Sequence, residues 1–127
     1  MEWKFTGDRP VYQQIMEAVC GSVLKGELIP GQKFPSVREL AAEAKVNPNT
    51  MQRALTELER EGILVGCGTS GRRVTTDESI LEAMRKNALD AVILECAAKF
   101  RVLGVTPAQA ARLLLGEKQT RGGNENG

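Results

Sequence analysis

Apolar side chains return near the helical period at Val11, Ile15, Ala18, Val19 and Leu24. That spacing predicts an amphipathic helix. Pro10 stands just before it, and Gly26 fits a C-terminal stop. Ile29-Pro30-Gly31-Gln32 reads as a turn, with Lys33-Phe34 as a very short strand. Val37, Leu40, Ala41 and Ala44 give the inward face of a second, short helix ending near Lys45-Val46. Ser36-Val37-Arg38-Glu39 opens it as a capping box, in which the serine oxygen accepts from the amide three residues on and Glu39 reaches back. Asn47-Pro48 then opens a third helix: asparagine is a good cap, and proline at the first position loses no needed hydrogen bond. Met51, Ala54, Leu55 and Leu58 form its core stripe, and Gly62 ends it. Residues 63–66 and 72–75 predict two short strands around a glycine-rich tip, residues 67–71, expected to be flexible.

Beyond residue 76 the pattern changes. A long helix is expected over residues 78–103, capped by Thr76 or Asp77, with no proline or glycine inside it. It carries two apolar stripes. Leu81, Met84, Ala88, Ala91, Ala98 and Val102 make one; Leu89, Ile93, Cys96, Phe100 and Leu103 make the other. A helix apolar on two sides needs two partners. Gly104 breaks it, and Thr106-Pro107-Ala108-Gln109 is a second capping box opening a last helix through Leu115. Phe100, Leu103 and Leu114 are expected to be core, though they could line a seam open to a small molecule. The polar, glycine-rich stretch 117–127 is expected to be disordered.

Three helices followed by two strands around a tip describe a winged helix-turn-helix. The fold class expected is mainly α with a small β-wing: a winged helix-turn-helix over residues 1–76, a two-helix appendage over 77–116 and a tail over 117–127. The bulk numbers narrow the function. The chain of 127 residues is short for a two-domain enzyme, and it contains no histidine. The commonest metal ligand and the commonest general base near neutral pH are therefore absent. Cys20, Cys67 and Cys96 are too widely spaced for a zinc pattern or a disulfide framework. No catalytic residue, metal site or cofactor is expected. No transmembrane run or leader pattern stands out, so the cytoplasm is the expected location. A net charge of +1 decides nothing about nucleic acid, because DNA binding depends on where charge sits.

Opposite the core stripe of the third helix stand Asn49, Gln52, Arg53 and Thr56, at i, i+3, i+4 and i+7, with no acid among them. A recognition helix lies in the major groove of duplex DNA, where amides pair with adenine and arginine with guanine. Glu57, Glu59 and Glu61 are held to its other end. Thr50 at the helix start can donate to a phosphate. Arg38 is a candidate phosphate clamp beside Ser36, or else a surface ion pair with Glu39 or Glu43. Gly71 and Arg72, with Arg73, could meet phosphate or the minor groove, or form a plain basic hairpin. The same stripe could instead be a solvated face, and the fold a protein-interaction module.

Pro10 to Ile15, the run from Gly26 to Ala41 with its Pro30-Gly31 and Pro35-Ser36-Val37-Arg38-Glu39-Leu40-Ala41, Val46 to Leu55, and Leu58-Glu59-Arg60-Glu61-Gly62 together resemble the GntR family of bacterial transcription regulators. The Asn47-Pro48-Asn49-Thr50 form and the long helix followed by Leu103-Gly104-Val105-Thr106-Pro107 resemble its YtrA subfamily. The resemblance implies double-stranded DNA as partner, with contacts at Ser36, Arg38, Asn49, Thr50, Arg53 and Gly71, and with Gln52 and Arg72 as neighbours. It implies a homodimer formed by the appendage, for which Leu89, Ile93, Cys96 and Phe100 are the candidate seam. It also implies a repressor, often of operons for ABC-type membrane transporters. The residues name no effector. Arg73 stands where an aromatic side chain is common in that family.

Overall fold

The computed structural model describes residues 1–117. It orders them as α1 (Val11–Leu24), β1 (Lys33–Phe34), α2 (Val37–Ala44), α3 (Pro48–Arg60), β2 (Leu64–Gly66), β3 (Arg72–Val74), α4 (Glu78–Val102) and α5 (Pro107–Leu114). This is the mainly helical winged helix-turn-helix with a small sheet that the pattern predicts. Of the tail expected over residues 117–127, all but Glu117 lies outside the described residues.

Caps set the two helices on which everything else is hung. At α2 the Glu39 amide donates to Ser36 Oγ (3.1 Å) and the Ser36 amide to the Glu39 carboxylate (3.0 Å). The Ser36 amide, and after it the Ser36 hydroxyl beside the carboxylate, favour the ionised form and hold the Glu39 carboxyl below its ordinary pKa. Lys45 then turns left-handed (φ 58°), and the Val46 amide folds back on the Ala41 carbonyl. Asn47 restarts the chain as a cap, its side-chain oxygen accepting from the Asn49 amide at 2.7 Å. The turn between α2 and α3 is thereby held by backbone and cap hydrogen bonds, with Val46 packed against the core.

Met51, Ala54, Leu55 and Leu58 of α3 are fully buried. They lie in one cluster with Ile15 and Val19 of α1, Leu40, Ala41 and Ala44 of α2, and Phe34, Leu64 and Val74 of the sheet. The sheet has the order β1-β3-β2, antiparallel throughout. Its central strand β3 pairs Arg72 with Gly66 on one side and with Phe34 on the other. The tip expected to be flexible is folded as a single 3-10 turn, Gly68–Ser70, closed by the Cys67 amide on the Gly71 carbonyl. The N-terminal residues also join this unit. Met1, Trp3 and Phe5 pack on the core, and the buried Gln14 amide bonds the backbone of Thr6 and Arg9.

The described chain divides into two compact units, Met1–Arg85 and the residues from Lys86 onward. The first runs past the boundary expected at residue 76, because Ile80, Leu81 and Met84 at the start of α4 pack into the winged-helix core. Asp77, rather than Thr76, caps α4: its carboxylate accepts from the Ser79 amide (2.9 Å) and hydroxyl (2.7 Å). In the second unit Thr106 and Gln109 complete the expected capping box of α5. Ala110 is buried there, while Cys96, Ala97, Phe100, Val105 and Leu113 are half-buried. Leu103 and Leu114, expected in a core, are 76% and 72% exposed. A helix of eight residues is too short to cover both apolar stripes of α4.

Gly62 ends α3 with φ +83°, and a Cβ there would come 2.7 Å from Ile80 Cδ1. The left-handed conformation alone costs a side chain about 1–2 kcal/mol. Gly62→Ala is expected to lower the urea stability of the chain by at least that much at fixed protein concentration; an unchanged midpoint would contradict the packing of Ile80 on this turn.

Candidate nucleic-acid interface

The burial of one face of α3 turns the other outward. Asn49, Gln52, Arg53 and Thr56 are exposed and Thr50 is half-buried. The stripe is partly ordered before any partner arrives. Gln52 Nε2 donates to Thr56 Oγ1 at 3.0 Å. The Arg53 guanidinium carbon lies 3.8 Å from the centroid of the Tyr12 ring, a cation–π stack between α3 and the start of α1. Tyr12 carries no signal in the periodicity, since its partner is remote in sequence. The acids of α3 are engaged at its far end, Glu57 with Arg60 (2.9 Å) and Glu59 with Arg72 (2.8 Å). The first half of the helix therefore presents amides, hydroxyls and one cation, with no carboxylate.

Ser36 and Arg38 stand exposed at the start of α2. Ser36 Oγ accepts from the Glu39 amide, and its hydroxyl can donate either to the neighbouring Glu39 carboxylate or to an outside acceptor. The two acids expected to compete for Arg38 are both occupied: Glu39 by the Ser36 amide and Glu43 by Trp3 Nε1 at 2.8 Å. Among the described residues Arg38 has no ion pair. An open groove of about 590 Å³ runs between this helix start and the wing, lined in part by Lys33, Ser36, Val37, Ser70, Gly71 and Arg72.

Strand alternation sorts the two arginines of the wing. Val74 is buried, and Arg72, two residues earlier, faces the same way, toward α3. Its side chain is only 20% exposed and its Nε donates to Glu59 Oε1. Of the two expectations for Arg72, a contact to DNA or a plain basic hairpin, the structure gives an inward-facing side chain paired with Glu59, because the face that buries Val74 is the face that points to the helix. Arg73 lies on the outer face, exposed, with Nη1 donating to the Gly31 carbonyl at 3.1 Å. Gly71 stands at the exposed tip with φ +84° and open space around it.

Ser36, Arg38, Asn49, Thr50, Gln52, Arg53 and Gly71 thus all belong to the first compact unit. On α4, Leu89 and Ile93 are 56% and 61% exposed, while Cys96 and Phe100 are half-buried within their own chain. Val92 shares the open side of Leu89 and Ile93, and sequence reading left it out. Cys20 is half-buried against the core, and burial pushes its thiol up to about 11, which disfavours the thiolate at neutral pH. Among the described residues no cluster of acids and cysteines could hold a metal ion, and no helix is long and apolar enough to cross a membrane.

Residues 11–74 match the model of the bacterial regulatory proteins of the gntR family. The chain is similar to the HTH-type transcriptional regulator YhcF of Bacillus subtilis, 34% identical over 84% of this chain and 88% of that protein. It is similar to the HTH-type transcriptional repressor YtrA of the same organism, 53% identical over 43% of this chain and 42% of the repressor. Its fold is similar to that of a GntR family transcriptional regulator from Listeria monocytogenes, with a TM-score of 0.79, 27% identity, and coverage of 90% of this chain and 100% of that one. The DNA-binding domain of AraR, solved in complex with operator ORX1, is similar at a TM-score of 0.54 and 28% identity, over 59% of this chain and 96% of that one.

If Tyr12 holds Arg53 as described, the ring current should shield the Arg53 side-chain protons. Tyr12→Leu is expected to move their NMR resonances downfield and Tyr12→Phe to leave them in place. Resonances insensitive to both changes would rule out the stack.

Proposed function

The chain belongs to the gntR family of bacterial regulatory proteins, with the YtrA repressor among its relatives, and from that premise we propose that it is a sequence-specific homodimeric repressor of transcription acting at an inverted-repeat operator. The observation that carries this reading is the outer face of α3: an exposed stripe of Asn49, Gln52, Arg53 and Thr56, with both acids of the helix, Glu57 and Glu59, paired to arginines at its far end.

On this reading the first half of α3 enters the major groove. Arg53, stacked on Tyr12, offers its fork to guanine, and Asn49 and Gln52 offer amides to adenine. Thr50, the Ser36 hydroxyl and Arg38 take phosphates and set the register, which carries no sequence information itself. Gly71 lets the wing backbone come close to the duplex. The relative solved on its operator supports this assignment, as do the family's regulators.

One winged helix makes few contacts, and doubling them needs a second copy. Leu89 and Ile93 leave large apolar surface exposed on one chain, an arrangement that favours burial against a partner. We assign residues 1–76 to DNA reading and the appendage over residues 77–116 to pairing, its first turns anchored in the winged-helix core by Ile80, Leu81 and Met84 and its seam formed by Leu89, Ile93, Cys96 and Phe100. A two-fold dimer then calls for a two-fold operator. By likeness to the YtrA subfamily the regulated genes are those of an ABC-type membrane transporter, and the site of action is the cytoplasm, where the DNA is.

Arg53→Ala is expected to weaken binding to the selected operator by about 1–3 kcal/mol and to relax discrimination at one base pair of each half-site. Binding is measured by titrating a panel of single-base operator variants. An equal loss on every variant would make Arg53 a phosphate contact and would remove the central element of the reading mechanism.

A further inference from the structure

Glu59, one turn beyond Thr56 on α3, is an acid that the reading above does not use. Three observations converge on it. Its Oε1 accepts from Arg72 Nε at 2.8 Å. Its Oε2 lies 2.7 Å from where a Cβ on Gly66 would stand. Gly66 and Arg72 are directly paired across the β2–β3 ladder. The carboxylate of α3 therefore lies across one strand of the wing, over the one residue with no side chain, to reach the arginine on the next strand.

We propose that Glu59 is a positioning residue that latches the wing to the recognition helix through Arg72, and that Arg72 serves the wing's placement rather than DNA. This rests on the DNA-binding reading only for its functional consequence; the latch itself belongs to the free protein. The sheet needs such a tie. β2 and β3 are three residues each and β1 is two, so few ladder bonds hold the outer end of the hairpin. Val74 anchors its base in the core, and Arg72 is the next inward-facing residue toward the tip. The Arg72 side chain is only 20% exposed and Glu59 41%, so the pair is shielded from solvent on its arginine side. The recognition helix and the wing contact one duplex at two places, so their relative placement decides whether both contacts form together. Arg73, on the opposite face of the strand, remains the wing's outward cation.

Glu59→Gln, Arg72→Gln and Gly66→Ala test this in the full chain. Gly66 has no left-handed φ, and its would-be neighbour is the far end of a flexible side chain. Gly66→Ala should therefore swing the carboxylate aside with both charges retained and little cost to the fold. All three are expected to speed amide hydrogen exchange over residues 65–73 by about fivefold while leaving the α3 amides protected. Exchange as slow as in the parent chain overturns the latch. The DNA probe is the duplex recovered by wild-type protein from a random-sequence library. Removing an acid near DNA ordinarily tightens binding. The latch predicts the opposite: Glu59→Gln weakens binding about fivefold, the double variant with Arg72→Gln is no worse than either single one, and the dependence on salt keeps its slope. A slope reduced by about 1 in Arg72→Gln would make Arg72 a phosphate contact and overturn its assignment. Faster exchange with undiminished affinity would leave the latch standing and overturn the role of the wing in DNA binding.

Discussion

The inner stripe of α3 is the interaction on which the rest of the structure depends. Met51, Ala54, Leu55 and Leu58 are fully excluded from water and meet side chains from α1, α2 and the sheet. Truncating any large member of such a stripe typically costs a few kcal/mol. With that face fixed, the helix has no rotational freedom, and Asn49, Gln52, Arg53 and Thr56 must stand outward together. The exposed face proposed to read DNA is thus a by-product of core packing: the protein needs no separate device to present it. The caps at Ser36 and Asn47 set where the two helices of the motif begin, so they set the longitudinal register of the same stripe.

Charge is arranged around this face by pairing acids away from it. Glu57 and Glu59 take arginines, and Glu39 and Glu43 take a backbone amide and an indole. Arg38 is left without a carboxylate among the described residues, and Arg53 is held by a ring instead of an acid. An arginine neutralised by a carboxylate would have to break that pair to bind DNA. One stacked on tyrosine keeps its full charge and its N–H donors, and pays less rotamer entropy on docking. The charge available on this face therefore depends on which partners the acids choose, more than on the net charge of +1.

Much of this was legible in the sequence because it is local. Helix periods, the two capping boxes, the Asn47-Pro48 start and the glycine stops all act within a few residues, and each stands where the pattern placed it. The family resemblance, carried by the Pro30-Gly31 and Pro35-Ser36 run, is likewise local, and the family match covers the same stretch. What escaped is contact between distant positions. Tyr12 under Arg53, Trp3 on Glu43 and Glu59 on Arg72 leave no trace in spacing. The inward turn of Arg72 was in principle readable from alternation with Val74, but glycine beside two arginines suggested an outward pair. The exposure of Leu103 and Leu114 could not be read either, because apolar stripes do not say whether their partner lies in the same chain.

That partner decides the unit of function. A single chain offers one recognition helix, and its α4 keeps Leu89 and Ile93 open to solvent. A second copy would cover them and bring a second α3 to the same duplex. Enrichment of bound duplexes from a random-sequence library by the full-length chain tests this most directly. The account predicts an inverted repeat whose half-sites are centred about 10–10.5 base pairs apart or a multiple of that distance. A lone unrepeated motif, or no enrichment at all, would contradict it.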